Sequence, residues 1–130
     1  MIRVVCAIIK NADGKLLFTQ RSGKMDHSYH WEFPGGKVEN DETDYAAITR
    51  EIWEELQIEV EPLKKLTQVD WQYPNKKIAL VPIICEIRSG TLNLNEHLDF
   101  VWLAINELAE LNVLGADREV VNNLKRVYEN

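Results

Sequence analysis

The sequence predicts an α+β domain in which a mixed β-sheet is covered by helices. Three observations predict it. Apolar runs near the N-terminus are split by an Asp-Gly turn. One amphipathic segment sits in the first half, and more strand-like runs then lead to a closing amphipathic segment. The chain has 130 residues and a mass of 15.1 kDa, which suits one domain spanning 1–130.

Arg3 to Lys10 (RVVCAIIK) reads as a buried strand, and Asn11 to Gly14 supply a turn, because Asp-Gly tolerates positive φ. Lys15 to Gln20 reads as the second strand of a hairpin. Arg21 to His30 is polar and should be a surface loop that can meet a ligand. Trp31 to Phe33 is a short extended piece, and Pro34-Gly35-Gly36 predicts an irregular turn that allows close backbone approach.

A helix is expected from about Thr43 to Leu56, capped by Asn40 or Asp41. Tyr45, Ile48, Ile52 and Leu56 form its apolar stripe, with Glu51, Glu54 and Glu55 on the adjacent face and Ala47 leaving space among them. Two strands follow, about Leu66 to Tyr73 and Lys77 to Arg88, joined at Pro74-Asn75. Pro82 argues for an edge or bulge in the second, and Pro62 lies past the helix and its exit turn. Ser89 to Asp99 reads as loop, Phe100 to Leu103 as a short strand, and Asn106 as the cap of a short helix through Leu111. The last helix should span about Asp117 to Tyr128, with Val120, Val121, Leu124 and Val127 inward.

Composition narrows the function classes. There are 21 acidic and 15 basic residues, a formal charge of −6, so a DNA or RNA duplex is not the expected partner. Nothing approaches the apolar length of a membrane span, and Ile2 to Ile9 is too short for a signal peptide, so a cytoplasmic location is the expectation. Cys6 and Cys85 lie in apolar runs and read as buried free thiols. His27, His30 and His97 show no zinc-ligand spacing and read as polar loop residues, His30 or His97 merely lying near the functional site.

The informative feature is acid density on one helix. Glu51 lies three residues before Glu54 and four before Glu55, so the three side chains occupy neighbouring turns. Such like charges raise one another's pKa, and a divalent cation reverses that penalty. A glutamate-rich face is also what an ordinary solvated helix presents, so the glutamates alone leave both readings open.

The spacing around them is more specific. The segment from Gly36 to Ile58 closely resembles the Nudix box: Gly, five residues, Glu, seven residues, then Arg-Glu-apolar-any-Glu-Glu-any-Gly-apolar. Gly36, Glu42, Arg50, Glu51, Ile52, Glu54, Glu55 and Ile58 match it, and the run WEFPGGKVE resembles the MutT-like branch. Gln57 stands where the family usually has glycine after the helix; it can enter the left-handed region at about 1 kcal/mol.

The resemblance implies a Nudix-like α/β/α sandwich and a set of roles. Glu51, Glu54, Glu55, Glu96 and the Gly36 carbonyl would bind Mg2+, with Mn2+ as an alternative. Gly35 would shape the turn, Arg50 would orient an acid, and Glu42 would support the network. The general base stays open among Glu54, Glu55 and Glu96. The implied reaction is hydrolysis of a free nucleoside triphosphate to the monophosphate and pyrophosphate. Arg21 resembles the branch's phosphate-contacting arginine, and Lys37 would add attraction. Tyr29, Trp31 and Tyr73 could supply an aromatic wall for the base. Asp117 stands where oxidised-guanine enzymes of the branch carry a base-reading asparagine and pyrimidine-directed members carry Asp. This favours CTP, dCTP or modified cytosine nucleotides over 8-oxo-dGTP, with an N-cap role as the plain alternative. A dinucleotide or nucleotide-sugar hydrolase and a catalytically weak nucleotide-binding module complete the alternatives. The sequence does not choose between monomer and homodimer.

Overall fold

The structure is a computed structural model describing residues 1–129. In chain order its elements are β1 (Ile2–Ile9), β2 (Leu16–Gln20), β3 (Trp31–Glu32), β4 (Gly35–Lys37), α1 (Asp44–Leu56), β5 (Glu59–Lys65), β6 (Val69–Tyr73), β7 (Lys76–Ser89) and β8 (Asp99–Leu103). A short 3-10 helix (Ile105–Glu110) and α2 (Gly115–Glu129) complete the chain. The expected fold class holds, with the strands divided between two sheets. A mixed sheet runs β4-β1-β7-β5, with β6 also on β7, and an antiparallel sheet runs β3-β2-β8.

The apolar runs explain the layering. In β1, Val5, Ala7 and Ile9 pack with Ile48, Ile52 and Leu56 of α1, while Cys6 and Ile8 pack with Val120, Val121 and Leu124 of α2. Because alternate residues of a strand point to opposite faces, a continuous apolar run is what a sheet covered on both sides requires. Parallel pairing of β1 with β7 extends the same division, from Ile78 and Leu80 on one face to Val81, Ile83 and Cys85 on the other. Each such Leu or Ile contributes about 1.5–3 kcal/mol by leaving water.

The predicted hairpin is not formed. Asn11 does make the turn, its Oδ1 accepting from Asp13 and Lys15 N–H, but β1 and β2 share only the Lys10–Leu16 bridge before entering different sheets. Gly35 and Gly36 extend as β4 against β1 rather than turning. A Cβ on Gly35 would overlap the Val5 carbonyl, so glycine is needed there for close strand approach.

Thr43, not Asn40 or Asp41, caps α1; its side chain accepts from Ala46 N–H at 3.1 Å. Tyr45 leaves the predicted stripe and is exposed, and Ala47 joins the buried row instead of sitting among the glutamates. Asp44 is buried, held by Arg3 at 2.8 and 2.6 Å and by Lys65 at 2.9 Å, which fastens the start of α1 to β1 and β5. Gln57 takes the left-handed C-cap conformation, φ 56°, as expected for the position.

Pro62 lies within β5, a strand the sequence reading missed because Glu59, Glu61, Lys64 and Lys65 make it look like loop. Pro82 is central in β7, at the point where β5 and β6 exchange as partners, and its carbonyl accepts Leu66 N–H. Ala104 rather than Asn106 precedes the 3-10 helix, its N–H donating to Glu107. Val127 is exposed, whereas Val120, Val121 and Leu124 face inward as predicted. Both cysteines are free and buried. Among the described residues no helix is long and apolar enough to cross a membrane.

Candidate active site

The end of α1 is the scaffold of the site. A helix leaves its last carbonyls without intrahelical partners. Here the asparagine-rich loop before β8 supplies them: Asn93 N–H donates to Leu56 O at 2.9 Å, Asn95 N–H to Glu55 O at 3.1 Å, and Asn95 Nδ2 to Glu54 O at 3.3 Å. That loop carries Glu96 and His97 to the acidic face of α1. A cleft of about 330 Å³ results, lined among others by Glu51, Glu54, Glu55 and Glu96. It lies within the range of small-ligand sites.

Arg50 organises the acids. Its Nε and Nη2 donate to the two oxygens of Glu42 at 2.7 and 2.9 Å, a bidentate pair. Nη1 reaches Glu51 at 3.0 Å and Glu54 at 3.2 Å, and Nη2 also meets the Lys37 carbonyl at 3.1 Å. Arg50 thus ties Glu42 on the loop before α1 to Glu51 and Glu54 on the helix. Hydrogen bonds from Arg50 hold the Glu42 carboxyl down at about 2. Burial pushes Glu51 above the ordinary carboxylate range against the pull of Arg50.

Glu55 is the most perturbed acid of the cleft. Burial, then the charges of Glu32 and Glu51, drives its pKa well upward, although Gly35 N–H donates to it. Its Oε2 is buried without a hydrogen-bond partner. Leaving such an atom unpaired costs about 1–3 kcal/mol in a folded protein. Gly36 faces the same acids, for a Cβ there would overlap the Glu51 carboxylate. Among the described residues no three acidic, imidazole or thiol groups close on one point as a ready metal cage. The acids line one cleft while Arg50 engages two of them, Glu51 and Glu54. An orphaned carboxylate oxygen beside hard-oxygen donors is a chemical fit for a divalent cation such as magnesium.

A second cleft, about 310 Å³, shares Arg21, Glu32 and Gly35 with the first. Its walls include Phe33, Tyr73, Ile78 and Leu114, and Asp117 lies within it. Asp117 is 6% exposed and accepts Phe33 N–H at 2.9 Å through Oδ2. It lies within the first turn of α2, past the Gly115 start, so its side chain serves strand β3's exit instead of capping the helix. Burial, reinforced by Glu32, raises its pKa. Tyr73 is also buried here, its hydroxyl accepting Ala116 N–H at 3.1 Å and its ring 4.8 Å from that of His27.

Not every predicted contact converges. Tyr29 is 57% exposed and Trp31 packs against the α2-side core; neither lines either cleft. Lys37 edges the second cleft only. Arg21 lines both, but it is already engaged, donating from Nη1 to both Glu32 oxygens at 3.1 Å and from Nε to the Asp26 carbonyl at 2.7 Å. Glu32 and His97 were missed as site residues. Glu32 lies between the clefts, and His97 is a loop residue as expected, but its side chain is buried against Glu32. The signal for Glu32 was its place between two core-directed aromatics in Trp31-Glu32-Phe33; nothing local in the sequence marked His97.

Comparison with known proteins agrees with this architecture. The NUDIX domain model matches residues 1–124. The chain is 38% identical over 117 residues to the CTP pyrophosphohydrolase of Escherichia coli K12, covering 90% of this chain and 86% of that one. It is 26% identical over 126 residues to the 8-oxo-dGTP diphosphatase of the same organism, covering 97% and 98%. The crystal structure of a MutT protein from Methanosarcina mazei Go1 superposes with a TM-score of 0.90 at 26% identity, over 99% of this chain and 96% of that one. With fold, box and relatives in agreement, the chain belongs to the NUDIX family and is a MutT-like hydrolase of a pyrophosphate bond in a nucleoside phosphate.

Proposed function

We propose that the protein hydrolyses free nucleoside triphosphates, NTP or dNTP plus water giving NMP or dNMP plus pyrophosphate, with cytosine nucleotides, including 5-modified forms, preferred. One observation carries this reading: an acidic cleft joins, at Arg21, Glu32 and Gly35, a second cleft in which Phe33, Tyr73, Ile78 and Leu114 stand beside polar groups, Asp117 among them. The acidic half suits a polyphosphate with its cation, and the aromatic and aliphatic walls of the second suit a base. The CTP-hydrolysing relative at 38% identity supports the cytosine preference.

Glu51, Glu54, Glu55, Glu96 and the Gly36 carbonyl would hold magnesium, with manganese as a substitute. Bound there, the cation would supply charge to the phosphoryl oxygens and lower the pKa of a water. Arg50 keeps Glu42, Glu51 and Glu54 oriented without touching substrate. Glu96, exposed on its loop, has the solvent access a water-activating base needs, with Glu54 and Glu55 as the other carboxylates in reach of the cleft. In the second cleft, Asp117 accepts Phe33 N–H through Oδ2, and its carboxyl would accept from the cytosine N4 amino group. Tyr73 and Phe33 provide apolar walls. Such an enzyme would act in the cytoplasm on the free nucleotide pool.

The test is a product screen over normal, oxidised and 5-methylated nucleoside triphosphates with and without magnesium. Magnesium-dependent release of pyrophosphate, fastest from cytosine nucleotides, is expected. Preference for 8-oxo-dGTP would replace the substrate assignment; orthophosphate as the only phosphate product would replace the bond assignment.

A further inference from the structure

His97 has the burial of a core residue and the bonding of a strut. Its side chain is 5% exposed, its Nε2 lies 2.8 Å from Glu32 Oε2, and its Nδ1 is buried with no hydrogen-bond partner. An apolar side chain of similar size would fill the same volume without the cost of an unpaired buried nitrogen. Packing therefore does not account for a histidine here.

What the ring touches does account for it. Glu32 is 14% exposed in its side chain, accepts from Arg21 at both oxygens and meets His97 at Oε2. Arg21 reaches on to Asp26, and Asp26 to Lys76 Nζ at 3.3 Å in the β6–β7 turn region. One continuous side-chain chain thus runs from the Glu96 loop, through Glu32 and Arg21 that line both clefts, to the 21–30 loop beside the second cleft. The Glu96 loop is fastened on one side by Asn95 N–H to Glu55 O and on the other by Leu98 N–H to Gln20 O at 2.9 Å. Between those two backbone ties, the His97 side chain supplies the third.

We propose that His97 is a positioning residue for hydrolysis, holding Glu32 and through it Arg21, so that the Glu96 loop and the base cleft share one hydrogen-bonded strut. This rests on the reading that Glu96 serves the phosphate-side cleft. His97 need not touch the substrate. A catalytic loop displaced by about 1 Å costs on the order of 100-fold in rate, and a buried ring braced at one nitrogen is a means of preventing that displacement.

The test compares His97→Leu with His97→Gln, since glutamine places an N–H donor near the position of Nε2 and leucine does not. His97→Leu should lower kcat by about 10- to 100-fold with KM changed much less, and His97→Gln should recover most of that loss. The Arg21 Nε–H resonance, from a donor bonded to the Asp26 carbonyl at 2.7 Å, should shift in the leucine variant and stay near its place in the glutamine variant. Unchanged kcat in His97→Leu, equal loss in both variants, or an unmoved Arg21 signal would each overturn the proposal. Should His97→Leu not fold, Glu32→Gln cuts the strut from its other end and is judged on the same Arg21 signal. If the wild-type protein released no pyrophosphate from any nucleotide, the functional reading would fall, and the resonance arm would still decide whether the strut exists.

Discussion

Glu55 near the end of α1 and Asp117 in the first turn of α2 belong to helices on opposite faces of the central strands. Both carboxyls are pushed upward in pKa by burial first and by Glu32 second. Their surroundings differ. Glu55 shares its cleft with Glu51, Glu54 and Glu96 and keeps one oxygen unpaired. Asp117 lies among Leu114, Phe33, Tyr73 and Ile78, with one oxygen bonded to a backbone N–H. Acids crowded by acids call for a cation, whereas a buried carboxyl beside aromatic and aliphatic walls calls for a hydrogen-bonding ligand. Similar pKa perturbations therefore mark two different jobs. Asp44 is the control: as little exposed as Asp117, it is satisfied by Arg3 and Lys65 and marks a structural tie only.

The largest effect should come from Glu55. Glu55→Gln keeps the volume and removes the charge, so turnover with magnesium should fall by about 100- to 10,000-fold. The same change relieves a buried like-charge cluster, so stability should hold or rise, by about 1 kcal/mol. Steady-state kinetics alongside urea unfolding checks both. Wild-type turnover in a folded Glu55→Gln protein would remove the distinction between the two acids.

Asp117→Ala should act on selectivity more than on chemistry. If Asp117 reads the base, the ratio of kcat/KM between cytosine and other nucleotides should shrink by about 10- to 100-fold, the worth of one base-edge contact. Rates on poor substrates should change far less. Uniform loss across a nucleotide panel would make Asp117 a brace for Phe33 and nothing else.

Asp44→Ala should leave nucleotide preference alone and cost stability, about 1–3 kcal/mol, because its partners Arg3 and Lys65 are half exposed and recover water when released. Its hydrogen bond to Arg3, against the opposing effect of burial, holds the folded pKa below the ordinary aspartate value. The folded state then binds this proton less readily than the unfolded chain. The stabilisation is full above about pH 5 and is lost as pH falls below about 3.9 toward the folded pKa, where wild type and variant converge. Urea midpoints at pH 7 and pH 3 measure the closing gap.

How much of this was legible differs between the two helices for a physical reason. The α1 acids are local: three- and four-residue spacing puts them together before any tertiary contact forms, and the spacing from Gly36 to Ile58 carries the chemistry in one stretch of chain. The second cleft is assembled from Phe33, Tyr73 and the Leu114–Asp117 stretch, three places far apart in sequence, so Asp117 could be singled out only by resemblance. Trp31 and Tyr29 look alike as aromatic candidates, yet register in β3 sends one to the core and a loop leaves the other exposed. Glu32 and His97 are 65 residues apart and meet only once β2 brings β3 and β8 together. The hairpin failed for a related reason: the Asn11 turn is real, but the choice of sheet for β2 is made by its pairing with β8. Strand β5 was hidden by its charged residues, which an outer strand can carry because one side faces water.

The smallest effect tests the end of α1. Gln57 adopts φ 56° and ψ 31° and donates its N–H to Trp53 O, the geometry a glycine would take without a Cβ penalty. Gln57→Gly should therefore stabilise the fold by up to about 1 kcal/mol, the relief of left-handed strain offset in part by the greater freedom glycine has when unfolded. Turnover should not change, because the carbonyls of Glu54, Glu55 and Leu56 are held by Asn93 and Asn95, not by the Gln57 side chain. A raised urea midpoint at constant m, with kcat unaltered, would show that the helix exit and the acidic face are independent. A fall in kcat would mean that residue 57 helps aim Glu54 and Glu55, and the acidic cleft would then extend one residue beyond the helix that carries it.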